Sequence, residues 1–179
     1  LPTKGTIEVD NVNIHEVPSG HTHLLRRKVG TVFQDFKLLF DRTVYENVAL
    51  ALEILGRNDR EVRKDVHDVL ELVGLGKKIS FFPQQLSAGE LQRTSIARAI
   101  AGGPSILLAD EPTGNLDPET AEEILTILGE INRMGTTVLM ATHNATVVNE
   151  LKKRTITLDD GKIISDEAKG RYHIGKRKL

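Results

Sequence analysis

The sequence predicts an α/β fold in which a parallel sheet forms the core and a helical segment is inserted into it. Two continuous apolar runs, "SILLAD" at Ser105–Asp110 and "TTVLMATH" at Thr136–His143, read as strands buried on both faces, the habit of parallel sheets. A stretch of helical period lies between them, so the order is strand, helix, strand. Upstream, residues 41–101 carry one helical pattern after another with no strand among them.

From the start of the chain, "TIEVDNVNI" alternates at Ile7 and Val9, shifts phase across Asp10 and Asn11, and resumes at Val12 and Ile14. It reads as two short strands or a bent one. "HEVPSGHTH" has the composition of a loop, and "KVGTVFQDF" is a strand that should end where Gln34 and Asp35 break its apolar run. At Thr43 the period changes. Thr43 and Glu46 fit a capping box, with Val44, Val48, Leu52 and Leu55 on one face of the helix that follows. Val62, Val66, Val69, Leu70 and Val73 form a second stripe closed by Gly74, and Ser87 with Glu90 starts a third helix through another capping box. Past "SILLAD", Asp117 is an N-cap and Pro118 a first-turn proline for a helix that buries Ala121, Ile124, Leu125, Leu128 and Ile131. "TITLDDGKII" is a hairpin turning at Asp160–Gly161. The chain therefore divides into residues 1–40 with the first strands, 41–101 as a helical subdomain, and 102–179 as α/β core ending in the hairpin.

The 179 residues suit one domain of ordinary size, or one domain with a subdomain inserted. Lys and Arg total 24 against 25 acids, which gives no reason to expect nucleic acid as a partner. Cysteine is absent, so disulfides and thiolate metal sites are excluded and a reducing cytoplasm is the easier setting. No apolar run approaches the roughly 20 residues that span a bilayer, and "LPTKGTIEVD" has no signal-peptide pattern.

The chemistry gathers at strand ends. In an open parallel sheet, ligands bind outside the carboxyl ends of the strands. Asp110 and Glu111 stand at one such end and His143 closes the next strand. A carboxylate fixed at a strand tip can hold Mg²⁺ through its water shell, the following acid can take a proton from water, and a histidine beyond can orient that water. Taken singly, each is an ordinary helix cap or solvated turn. His15, His21 and His23 share one loop, but few carboxylates accompany them for a metal. The basic end "KGRYHIGKRKL" reads as a solvated tail, with a membrane-surface role as the alternative.

The conjunction of motifs resembles the ATP-binding cassette (ABC) ATPase family. Gln34 in "VFQD" is similar to the Q-loop glutamine, "LSAGELQR" (Leu86–Arg93) to the LSGGQ signature, "ILLADEP" to Walker B, "NLD" (Asn115–Asp117) to the D-loop, and His143 in "ATH" to the switch histidine. The resemblance implies a P-loop NTPase-like core and a subunit that binds and hydrolyses ATP with Mg²⁺. It implies Asp110 and Gln34 at the metal, and Glu111, His143 and Gln34 in catalysis. Ser87, Ala88, Gly89 and Glu90 would face the ATP of a second subunit, with Asp117 beside them. It further implies a homodimer closed around ATP between Walker A and signature motifs, cytoplasmic and peripheral on the inner face of the cell membrane, where it docks on a permease-type membrane subunit. "FQDFKLL", "RTVYENVA", "FFPQQLS" and "DEAKGRY" are most similar to cassettes acting in bacterial cell division, where the output is control of cell-wall hydrolases. Lipoprotein-releasing or macrolide-export cassettes, or a non-catalytic interaction module, are the alternatives.

Three features depart from the family pattern. Ala88 replaces the first glycine of the signature, where a positive φ or a close backbone approach would make alanine costly. Phe40 stands where relatives carry proline. The phosphate-binding G-x-x-x-x-G-K-[ST] is not among the 179 residues. The segment carrying it is expected before Leu1, and residues 1–179 alone are expected to be inactive. In "FKLLF", Phe36, Leu38, Leu39 and Phe40 cannot all face one way. Either they pack between core and subdomain, or part of the run, with Tyr45, receives a coupling helix from the membrane subunit.

Overall fold

The computed structural model describes residues 2–170, so the basic stretch at 171–179 lies outside the described residues. Residues up to Ala141 form one compact unit and those from Thr142 another.

The first unit begins with a small hairpin, β1 (Glu8–Val9) paired antiparallel to β2 (Val12–Asn13). Asp10 and Asn11 make its turn at φ 52° and 59°, the left-handed region that these two residue types tolerate. The next segment corrects the sequence reading, because "HEVPSGHTH" is not all loop. A 3₁₀ turn at Ser19–His21 leads into α1 (Thr22–Arg26), with the Thr22 hydroxyl donating to the Ser19 carbonyl at 3.0 Å. Five residues are too few to display a helical period, so nothing in the pattern announces this helix.

β3 (Val29–Val32) is followed by α2 (Val44–Ile54), α3 (Asp59–Leu72) and α4 (Ala88–Ile100). β4 (Ile106–Asp110), α5 (Pro118–Arg133) and β5 (Thr137–Ala141) complete the unit. The strands form a parallel sheet in the order β3-β4-β5, with Val32 opposite Ala109 and Asp110 opposite Ala141. The capping boxes at Thr43/Glu46 and Ser87/Glu90 both form, and α3 has one at Asn58/Glu61 that the sequence reading missed. The first two amides of α2 donate outside their own helix, Val44 to the Phe81 carbonyl and Tyr45 to that of Ile79. The 79–81 loop thus satisfies donors that a helix start leaves over.

One apolar cluster joins the helices to the sheet. Val44, Val48 and Leu52 of α2, Val66 and Leu70 of α3, Ile96 of α4 and Ile124 of α5 meet Val32 and Leu107 of the strands, all with essentially no solvent exposure. Each such side chain contributes about 1.5–3 kcal/mol on burial. α4 lies directly on β3, since a Cβ at Gly30 would collide with the Ala99 carbonyl. The expectation of burial on both faces suits β4 better than β5. Leu139 is 60% exposed, and Thr137 and Ala141 are exposed with it, because β5 is an edge of the described sheet.

The second unit holds α6 (Ala145–Leu151), β6 (Thr155–Asp159) and β7 (Lys162–Glu167). Asn144 caps α6 by accepting from the Thr146 amide at 3.0 Å. The hairpin turns at Asp160 and Gly161, φ 46° and 74°, and Arg154 forks onto Asp166 at 2.9 and 2.7 Å.

Candidate functional site

Parallel register sets the tips of β3 and β4 side by side, so Gln34 and Asp110 leave the same rim of the sheet. Gln34 and Glu111, the residue after Asp110, converge on Gly114. A Cβ there would sit 3.4 Å from Gln34 Nε2, 3.4 Å from the Glu111 carbonyl oxygen and 3.5 Å from Glu111 Cβ. The turn between is tied by the Gly114 amide, which donates to the Glu111 carbonyl at 3.0 Å, while the Glu111 amide donates to Ala141 at 2.9 Å. Glu111 holds φ 45° in this turn, a left-handed conformation that costs a non-glycine residue on the order of 1 kcal/mol. Asp110 and Gln34 are exposed. A carboxylate on the last residue of β4 and an amide oxygen in the turn just past β3, both open to water, are the hard donors that Mg²⁺ takes alongside its own waters.

The start of α4 is built separately. Ser87 Oγ accepts from the Glu90 amide at 3.3 Å, and Glu90 Oε2 accepts from the Ser87 amide at 2.9 Å. Glu90 Oε1 also takes Lys78 Nζ at 2.6 Å. Burial pushes the Glu90 carboxyl up, but the Lys78 ammonium and the Ser87 amide outweigh it and hold the group below its ordinary range. Ala88 is exposed in the first turn of α4 and is not among the positive-φ residues, so the backbone cost expected there does not arise. The close approach falls on Gly89 instead, which is buried and whose Cβ would strike Thr120 Cγ2.

Thr120 belongs to the first turn of α5, where its amide and hydroxyl both donate to Asp117, at 3.0 and 2.6 Å. These bonds, the hydroxyl's first, hold the Asp117 carboxyl below its ordinary range. Ser87, Ala88, Gly89, Glu90 and Asp117 are thereby gathered at two adjoining helix starts. Gln34, Asp110 and Glu111 are gathered at the strand tips. His143 lies in the second unit, in a turn where the Asn144 amide donates to Thr142 Oγ1 at 3.1 Å.

"FKLLF" divides. Leu38 is buried, Phe36 half-buried, and Leu39 and Phe40 are 40% and 51% exposed. Tyr45 packs partly on the core. Gln84 Nε2 donates to the Phe40 carbonyl at 2.8 Å, which brings the 42%-exposed Phe82 into the same neighbourhood. Two residues that organise this region escaped the sequence reading. Asn47, fully buried, takes the Leu39 amide at 2.8 Å and donates toward the carbonyls of Leu39, Arg42 and Thr43. Its signal was a polar residue beside Val44 and Val48 on the buried face of α2. Arg98 donates to the carbonyls of Phe36 and Lys37, and nothing in the sequence marks it. The His21 and His23 rings stack 6.5 Å apart, and among the described residues no group of three or more metal-binding side chains could hold an ion.

Residues 1–114 match the ABC transporter family. The chain belongs to the ABC transporter family. By family it is an ABC-type ATPase with the P-loop NTPase fold, and it is 51% identical over 169 residues to the cell division ATP-binding protein FtsE of Streptococcus pneumoniae, across 94% of this chain and 74% of that one. The FtsE of Bacillus subtilis is 52% identical to this ABC chain over 171 residues, 96% of the one and 75% of the other. Among solved structures, the dimeric ATP-binding cassette MJ0796 in a post-hydrolysis state with ADP and Pi matches at a TM-score of 0.82. It is 36% identical, over 96% of this chain and 76% of that one.

Proposed function

We propose that this chain works in bacterial cell division as the ATP-hydrolysing subunit of a membrane complex, paired as a homodimer and docked on an FtsX-like permease at the inner face of the cell membrane. The observation that supports it most is the meeting of the Gln34 amide with the Asp110–Glu111 turn at Gly114, in a chain so similar to FtsE proteins. Asp110 and Gln34 hold Mg²⁺, which when bound neutralises phosphate charge. Glu111 accepts the proton of the attacking water, and His143 takes the switch-histidine role that its "ATH" motif suggests. The amides at the start of α4, with Ser87, Ala88, Gly89 and Glu90, face the γ-phosphate of the ATP held by the second subunit, where the helix dipole favours negative charge. Asp117 braces that helix start through Thr120. Most of the phosphate grip comes from a phosphate-binding loop, a motif absent from these 179 residues.

ATP-driven closure of the dimer reaches the permease through the segment after Gln34. Leu39, Phe40 and Phe82 supply the exposed apolar patch on which a coupling helix can seat, flanked by Asp35, Lys37 and Asp41. The test is co-purification of the full-length protein with its membrane subunit after Leu39→Glu or Phe40→Glu. Loss of the membrane subunit with nucleotide binding intact supports the docking surface. Retention of the subunit in both variants places docking elsewhere.

A further inference from the structure

Arg98 lies on α4, eleven positions beyond the Ser87 cap, and sends its guanidinium across to the loop that follows Gln34. Nη1 donates to the Lys37 carbonyl at 2.7 Å and Nη2 to the Phe36 carbonyl at 3.0 Å. Both acceptors are peculiar. Phe36 and Lys37 stand at φ 60° and 49°, a consecutive left-handed pair of non-glycine residues, the second of them carrying a long side chain. Local bonds support the bend, from the Phe36 amide to Phe33 at 3.2 Å and from the Lys37 amide to Asp35 at 2.6 Å, and Arg98 ties it to another element through these carbonyls. Burial of the guanidinium lowers its proton affinity, in keeping with a group sunk against the loop rather than waving in solvent.

We propose that Arg98 is a positioning residue that clamps the Phe36–Lys37 bend and so fixes the placement of Gln34 relative to the Glu111–Gly114 turn. This rests on the reading of Gln34 as a working residue of the site. The clamp has a consequence for coupling. One rigid helix carries the signature residues at its start and, about 16 Å further along at 1.5 Å per residue, the grip on the Gln34 loop. A displacement of the helix start when it meets the second subunit's nucleotide is therefore delivered to the Gln34 loop of the same subunit, and from there to the Leu39–Phe40 surface. A lysine at this position keeps the charge and most of the stem, but its single ammonium must reach from one point the two carbonyls that the planar fork meets with two separate nitrogens, so the clamp loosens.

The experiment compares Arg98→Lys, Gln34→Ala and the double variant in the full-length native protein, reading steady-state ATP hydrolysis and residue-resolved amide hydrogen exchange. With Arg98→Lys the amides of residues 36–38 are expected to exchange about 10-fold faster while exchange in the core of α3 is unchanged. kcat should fall about 5-fold or more with KM for ATP moved less than about 2-fold. In the Gln34→Ala background the same substitution should add less than about 2-fold, because the two residues act in series. Full additivity of the two losses overturns the proposal, as does unchanged exchange at residues 36–38. If Gln34→Ala leaves kcat at the parent level, it is the reading of Gln34 that fails, and the exchange data alone then decide the clamp. Should Arg98→Lys lower the melting temperature sharply, Arg98→Gln, which is neutral and keeps one amide donor of shorter reach, repeats the exchange comparison with the same two outcomes.

Discussion

Thr120 Cγ2 fills the space that a Cβ at Gly89 would need. The contact locks the start of α4 to the start of α5, and with it the Ser87 cap to Asp117. Gly89→Ala must push the two helices apart, at about 1–3 kcal/mol for an overpacked contact. Thr120→Ser removes the obstructing methyl and keeps the hydroxyl bond to Asp117. The double variant is therefore expected to recover most of the melting temperature that Gly89→Ala loses. Equal melting temperatures for the single and double variants would show that the clash lies elsewhere.

Asn47 offers a second stability test. It fixes the segment from Leu39 to Thr43 by accepting from the Leu39 amide and sharing its two N–H groups among the carbonyls of Leu39, Arg42 and Thr43, all from a side chain with no solvent exposure. Asn47→Ala leaves the Leu39 amide and several carbonyls to find water, at roughly 2–4 kcal/mol. Asn47→Asp keeps the acceptor for the Leu39 amide but loses the donors and buries a charge, so it should be at least as damaging. Denaturant unfolding measures the loss, and hydrogen exchange should locate it at residues 39–43.

Acid should loosen the start of α4. The Glu90 carboxyl is held below its ordinary value of 4.5, so the stability it contributes is complete above that pH and is lost as pH falls through the lower folded value. Glu90→Gln can still complete the capping box yet cannot titrate there. Melting temperatures measured from about pH 7 down to about pH 3 should fall more steeply below the ordinary value for the parent than for Glu90→Gln. Parallel curves would mean that the ion pair with Lys78 contributes nothing.

How much of this was legible in the sequence depended on what kind of force built each part. α2, α3, α4 and α5 were readable because their buried faces repeat at helical spacing and their caps are chemical signatures, as at Thr43, Ser87 and Asp117. The strand tips were readable for the same reason, since "SILLAD" has to end where its acids begin. α1 and α6 were not, being five and seven residues long with at most one buried side chain between them. The exposure of Leu139 was hidden because an apolar residue in a strand looks the same in sequence whether or not anything covers it. Arg98 was invisible as an organiser because it bonds to backbone atoms far away in the chain, and such bonds leave no periodic trace, while Asn47 showed only as a polar residue on the buried face of α2, with nothing to name its partners. The crowding of Gln34, Glu111 and Gly114 likewise depends on the register of β3 against β4.

The most direct test of the central claim is MgATP hydrolysis by the full-length protein with Glu111→Gln. The amide keeps the shape of the side chain in the Asp110–Gly114 turn but cannot accept the proton of the attacking water. Turnover is expected to fall by about 10²-fold or more while ATP binding is retained, the range for losing a general base. Hydrolysis near the parent rate would contradict the account and take the catalytic base away from Glu111.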